Sequence, residues 1–188
     1  MARALVFNYN SIFARNIVDT IHAYNLLRPK KCFMVDMYRA DDCISEMQKF
    51  PADIIIHSGG DGRPVREDAA DTPKLYICHS HQWKARIGGG RVVRLKDIIT
   101  GIADVDIIEN DDIIGKKGRM RIMEFHRLGV VKPPRSAKVL AMSRAVDHRG
   151  KEVEIIEALR YPDGSISIQG HPEEGRAFHI FYNFLNAH

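Results

Sequence analysis

Cys78 stands at the end of a short apolar run, Leu75-Tyr76-Ile77, and Gln82 to Ile87 read as the first turns of a helix. A cysteine on such a strand-to-helix turn exposes its sulfur at the sheet edge, beside the unpaired N–H groups that open a helix. Those groups favour thiolate over thiol and make the sulfur a better nucleophile. A lone cysteine is more often a small buried hydrophobe. What singles out Cys78 lies far downstream, in Gly170-His171-Pro172-Glu173, which follows a strand ending at Gln169. A residue before proline is pushed toward extended backbone, in which alternate residues project to the same side. His171 and Glu173 are therefore expected to face one another. The carboxylate then holds the imidazole's tautomer while the other ring nitrogen takes a proton from Cys78. The loop Ser58-Gly59-Gly60-Asp61-Gly62 supplies a third element. Glycine lets backbone N–H groups approach a substrate closely, and one from Gly59 or Gly60, with that of His79, suits an oxyanion.

The elements around these residues alternate. Ala4–Phe7, Cys32–Val35, Ile54–Ile56 and Leu75–Ile77 are short apolar strands. Between the first two, Ile17, Val18, Ile21 and Tyr24 recur at helical spacing, with Asn10 or Ser11 as the cap, and a second helix is expected over 41–49. Such alternation indicates an α/β fold, an open and mostly parallel sheet flanked by helices. Ligands in these sheets sit at the carboxyl ends of the strands, where Gly59, Gly60 and Cys78 fall. The second half reads as an antiparallel extension. Arg91–Leu95, Ile102–Ile108, Met120–Phe125 and Lys138–Ser143 are short strand-like runs, and Tyr161-Pro162-Asp163-Gly164 marks a hairpin. A closing helix over about 177–186 puts Phe178, Phe181, Tyr182 and Leu185 on one face.

A chain of 188 residues suits one domain, here 1–188, with 45% hydrophobic and 28% charged residues. The net charge of +4 is spread out, and no aromatic-basic motif supports a nucleic-acid partner. Three cysteines, Cys32, Cys43 and Cys78, have no framework spacing, the N-terminus opens directly as a strand, and no apolar run spans a bilayer. A reduced, cytoplasmic protein without membrane contact is expected.

Together the site residues carry a resemblance. The chain resembles class I glutamine amidotransferases, whose nucleophile segment reads Gly-x-Cys-x-Gly-x-Gln and whose other triad members lie in a His-Pro-Glu. Cys78, Gln82, His171 and Glu173 match, and Ser58 to Gly62 is similar to the family's oxyanion loop. Asn8-Tyr9-Asn10-Ser11 followed by Asn16, and Phe125-His126-Arg127-Leu128, resemble segments of the glutaminase component of anthranilate and aminodeoxychorismate synthases. The resemblance covers essentially the whole chain. It implies a flavodoxin-like α/β fold, no cofactor, and release of ammonia from glutamine or a related amide through a thioester on Cys78. Gln82 would help to hold the substrate, and the ammonia would pass to a partner synthetase subunit.

This sequence also departs from the family pattern. Tyr76 and Ser80 replace both glycines of the elbow, and Arg127 stands where the family has a small serine that contacts the glutamine backbone. A tyrosine at the elbow needs space that the family fills by close packing of helix on strand, so a displaced turn is expected. A binding or regulatory subunit that keeps the fold and has altered catalysis is the alternative. His57, Cys78, His79 and His81 can also be read as a metal cluster, but ligands this close in sequence rarely converge, and no metal is expected.

Overall fold

The structure is a computed structural model that describes residues 1–39, 42, 44–45, 49–65 and 71–188. The helix expected over 41–49 falls largely outside the described residues, as does Cys43.

Two kinds of strand pairing meet in one sheet. Its first part comprises β1 (Ala2–Tyr9), β2 (Phe33–Arg39), β3 (Ile54–Gly60) and β4 (Lys74–Ile77). These pair parallel in the order β2-β1-β3-β4, and β4 is joined in parallel by β9 (Ile166–Ile168). The second part holds β5 (Arg91–Ile107), β6 (Gly118–Lys132), β7 (Lys138–Val146) and β8 (Glu152–Arg160), all antiparallel. β9 is the hinge between the parts, because it pairs antiparallel with β8 across the expected hairpin turn. Tyr161 N–H donates to Ser165 O at 2.9 Å in that turn, and Gly164 takes the positive φ of 78° that a side chain disfavours.

The α/β expectation holds, and "mostly parallel" is corrected. β5 and β6 alone run for 17 and 15 residues as one long ribbon, where the sequence suggested short separate runs. The Lys96-Asp97 break does not end β5. The ladder shifts register between Arg94 and Ile99 and continues, as a bulge permits. β8 pairs with β6 and β7, and β5 with both β6 and β7, so these strands close on themselves as a small barrel.

The parallel strands bury both faces, which is why they read as unbroken Val/Ile/Leu runs. Ala4, Val6, Ile54, Ile56, Leu75 and Ile77 pack with Ile17, Ile21 and Tyr24 of α1 (Ala14–Leu27) and with α3 (Phe178–Ala187). Each such buried aliphatic side chain contributes roughly 1.5–3 kcal/mol. α3 buries Ile180, Phe181, Phe184 and Leu185, so its core stripe is rotated from the one expected; Phe178 and Tyr182 lie at the margin. Neither Asn10 nor Ser11 caps α1. Phe13 is the N-cap residue, and Ser11 Oγ accepts the Phe13 N–H at 3.2 Å in a turn just ahead of the helix.

The junction of β4 with α2 (His79–Ile87) is tied by Ser80, one of the two departures from the elbow pattern. Its fully buried hydroxyl accepts the Ile77 N–H at 2.9 Å and lies 2.8 Å from the His57 carbonyl of β3. Ser80→Ala leaves that N–H buried without a partner. Denaturant unfolding of the variant is expected to show a loss of about 1–3 kcal/mol.

Candidate active site

Cys78 is the residue between β4 and α2, with φ 50° and ψ −104°, one of two non-glycine residues with positive φ among the described residues. Its N–H donates to Ile168 O of β9 at 2.8 Å, so the neighbouring strand holds the strained turn in place. Tyr76 does not displace this turn. Leu75 and Ile77 face the α1/α3 layer, and the alternation of the strand sends Tyr76 to the opposite face. There its ring stacks on His57 with centroids 4.4 Å apart, and Lys84 Nζ lies 5.0 Å over it.

His171 and Glu173 come together as expected, by a different geometry. Pro172–Glu174 is a single 3₁₀ turn, not an extended segment. Within it His171 Nδ1 lies 2.9 Å from Glu173 Oε1, both groups buried. A carboxylate can only accept, so Nδ1 carries the proton and Nε2 is left as the acceptor. His171 N–H donates to Met123 O of β6 at 2.8 Å, and the Phe13 ring packs 4.5 Å from the imidazole. Asn16 of α1 bonds Glu174 and fixes the far side of the turn.

Gly59 is the point where these groups converge. A Cβ there would stand 3.0 Å from His171 Cε1 and 3.3 Å from Cys78 Cβ, so a glycine allows the imidazole and the sulfur-bearing carbon to share one small space. Cys78 and His171 both open into a cavity of about 500 Å³ that is also lined by Gly60, His79, Gln82 and Arg127. Gly60 has φ 116°, and a Cβ on it would collide with Tyr9 O at 2.0 Å. Asp61 and Gly62 both donate their N–H groups to that same carbonyl, at 3.0 and 2.9 Å. His79 Nε2 donates to Gly62 O at 2.9 Å, clamping the glycine loop to the start of α2.

Gln82 spends both amide protons on the protein, at Leu128 O (2.9 Å) and Gln169 Oε1 (3.1 Å). Its own carbonyl oxygen is therefore the atom suited to a substrate. Arg127 lies on the cavity rim with its side chain exposed. The metal reading of His57, Cys78, His79 and His81 has no support in the geometry. His81 is fully buried between Ser167 Oγ (2.6 Å) and Ile156 O (3.1 Å), and burial pushes its pKa down to about 3. It is a neutral strut between α2 and the β8–β9 hairpin.

The thiol itself differs from expectation. Burial raises the Cys78 pKa far above its ordinary value, and the Glu124 and Glu173 carboxylates add to the rise. The His79 N–H at the helix start lowers it, as expected for a helix N-terminus, but is outweighed. Only Gln169 Nε2, at 3.6 Å, donates a side-chain hydrogen bond to the sulfur. Gln169, Phe13, Glu124, His126 and Glu157 were not identified from sequence as part of this neighbourhood. Gln169 was legible as the last residue before Gly170-His171. The two glutamates were hidden in runs that look like ordinary alternating strands.

A parallel sheet whose strand-end cysteine sits beside a carboxylate-held imidazole is the arrangement of a thiol-dependent acyl-transfer enzyme. The sequence pattern of the family described as glutamine amidotransferase class-I matches residues 5–185. The glutamine-hydrolyzing subunit of GMP synthase from Sulfolobus acidocaldarius is 29% identical over 161 residues, 77% of this chain and 80% of the relative. The protein of the same name from Saccharolobus solfataricus is 30% identical over 158 residues, covering 76% and 79%. A crystal structure from Thermoplasma acidophilum, described as a candidate for the corresponding GMP synthase subunit, superposes with a TM-score of 0.76. The superposition covers 99% of this chain and 93% of that one, at 20% identity. The chain belongs to the class-I glutamine amidotransferase family. No described helix is long and apolar enough to cross a membrane.

Because burial keeps the resting thiol protonated, alkylation of Cys78 by an uncharged reagent should climb steadily through and above pH 9, with no plateau near neutrality. Peptide mapping across pH, with Cys32 as the internal comparison, measures this. Gly60→Ala should remove both fold and activity at this loop, seen as a lowered melting temperature together with loss of amide hydrolysis.

Proposed function

We propose that Cys78 is the nucleophile, His171 the proton carrier and Glu173 the orienting carboxylate of a glutaminase on a flavodoxin-like domain. The close approach of Cys78 and His171 on either side of Gly59 is the observation that carries this reading. In the first step His171 Nε2 takes the Sγ proton as the sulfur attacks the carboxamide carbon. The N–H groups of His79 and of Gly59 or Gly60 receive the oxyanion. His171 then gives the proton to the leaving nitrogen, and ammonia departs from a thioester. Water, deprotonated by His171, cleaves the thioester and releases glutamate and the free thiol. Since the resting thiol is neutral, proton transfer and attack belong to the substrate-bound state.

The relatives are glutamine-hydrolyzing subunits by name, so the ammonia acceptor in this reading is a separate synthetase subunit of the GMP synthase kind, in the cytoplasm. Gln82 and Arg127 border the substrate, with Arg127 placed to grip its carboxylate. The catalytically altered regulatory subunit rests on Tyr76, Ser80 and Arg127. Tyr76 and Ser80 lend it little support, because one stacks on the far face and the other braces the turn.

The test is ammonia release from glutamine, with and without the candidate synthetase subunit. Cys78→Ala and His171→Ala should each fall to background, and the double variant should fall no further, because the two act as a unit. A folded protein inert on glutamine in both conditions would favour the regulatory subunit. Arg127→Ser should raise KM up to about 10-fold with kcat held, given the exposure of the guanidinium. Faster hydrolysis by that variant would instead identify Arg127 as a block on glutamine.

A further inference from the structure

Next to the thiol site lies a buried group of side chains that the proposed reaction does not use. Glu124 and His126 alternate on β6, so both project to the same side, and Glu157 reaches them from β8. One ligand atom from each lies within 4.8 Å of the other two, and all three side chains are buried. Their hydrogen bonding is incomplete in a specific way. His126 Nδ1 donates to Leu128 O at 2.8 Å, so its proton is on Nδ1 and Nε2 presents a lone pair. The nearest charged atom to that lone pair is Glu124 Oε2 at 3.2 Å, in a geometry that forms no hydrogen bond. Both Glu124 oxygens and Glu157 Oε2 also have no partner among the described residues. Four acceptor atoms thus converge with no donor between them, which is costly in a buried site unless a cation is shared.

We propose that Glu124, His126 and Glu157 form a binding site for a divalent first-row transition ion, of the Zn²⁺ or Mn²⁺ class. Two carboxylate oxygens and one imidazole nitrogen are the donor set such ions take, whereas Mg²⁺ and Ca²⁺ prefer oxygen alone. With metal–ligand bonds of about 2.0–2.2 Å, ligand atoms around one ion stand roughly 3–4 Å apart, so the group closes on an ion by small rotamer changes. The surrounding contacts are those of a ligand shell. The Leu128 carbonyl fixes the His126 tautomer, and the Ser143 hydroxyl of β7 bonds Glu157 Oε1, leaving Oε2 as the free oxygen. His126 also lines the Cys78 cavity, which supplies the route of entry.

The position gives the ion a task. A Cβ on Gly170 would meet Glu124 Oε1 at 2.7 Å, and Met123, beside Glu124, pairs with His171. An ion joining β6 to β8 therefore braces the strand from which His171 hangs.

The experiment uses the full chain carrying Cys78→Ser, so that the thiol is not itself a ligand, stripped of metal and titrated calorimetrically with Zn²⁺, Mn²⁺ and Mg²⁺. Saturable binding of about one Zn²⁺ or Mn²⁺ per chain is expected, with Mg²⁺ far weaker. Glu157→Gln in that background should weaken binding at least 10-fold, and Ser143→Ala, which keeps every ligand, about 10-fold. Co²⁺ should give the visible absorption of a low-coordinate site, displaced by Zn²⁺. Absence of saturable binding, or equal affinity in Cys78→Ser and its Glu157→Gln form, overturns the proposal and assigns the group a shared proton. Should Glu157→Gln fail to fold, unchanged affinity in Ser143→Ala overturns it equally. None of these readouts depends on glutamine hydrolysis, so the result stands apart from that reading.

Discussion

The left-handed backbone at Cys78 is the constraint on which the rest of the site depends. A non-glycine residue held at φ 50° costs on the order of 1–3 kcal/mol and persists only where its surroundings over-determine it. Here three neighbours do so. β9 receives the Cys78 N–H, Ser80 closes the turn from inside the helix, and Gly59 leaves a gap in β3 that the Cys78 side chain fills. The sulfur is thus aimed by the sheet, not by its own rotamer preferences. Ser80 does by hydrogen bonding what a glycine does by conformational freedom, which explains how the turn survives without the elbow glycine.

The same enclosure that aims the sulfur also quiets it. Desolvation is the largest influence on the thiol, and two carboxylates reinforce it against a single helix N–H. A helix N-terminus is worth a fraction of a charge and acts over its first turn, whereas nearly complete burial removes the whole hydration of a thiolate. The consequence is a resting enzyme whose nucleophile is neutral and whose base is already in the right tautomer. Such a site is protected against stray alkylation and oxidation. It works when substrate brings its own polar groups into the cavity.

The antiparallel half has a purpose in this architecture beyond filling space. β6 delivers the carbonyl that holds His171 and the segment that forms the cavity rim at Phe125 to Leu128. β8 and β9 carry the hairpin against which His81 is locked, so the helix after the nucleophile is anchored to both halves. Parallel strands aim the nucleophile, and the antiparallel ribbon aims the base. The close alignment of the two depends on β9, the one strand paired with both.

The primary sequence determined the pieces whose signal is local. Four apolar runs read as parallel strands because burial on both faces leaves them no polar alternation. The hairpin at Tyr161 to Gly164 was legible from its turn residues. Cys78, His171 and Glu173 stood out because a strand-end cysteine and a His-x-Glu pair have distinctive spacing. Only the tertiary structure decided what depends on partners distant in the chain. Lys96 and Asp97 look like a strand break, but pairing with β6 carries the strand through as a bulge. His171 meets Glu173 in a 3₁₀ turn because Met123 of β6 and Asn16 of α1 hold its ends. Tyr76 is harmless because His57, on the adjacent strand, offers it a stacking surface. Glu124 and Glu157 sit at alternating positions of two strands, where an outward carboxylate and an inward one look alike. Which face closes on the core is set by long-range pairing, and that is where the electrostatics of Cys78 were decided.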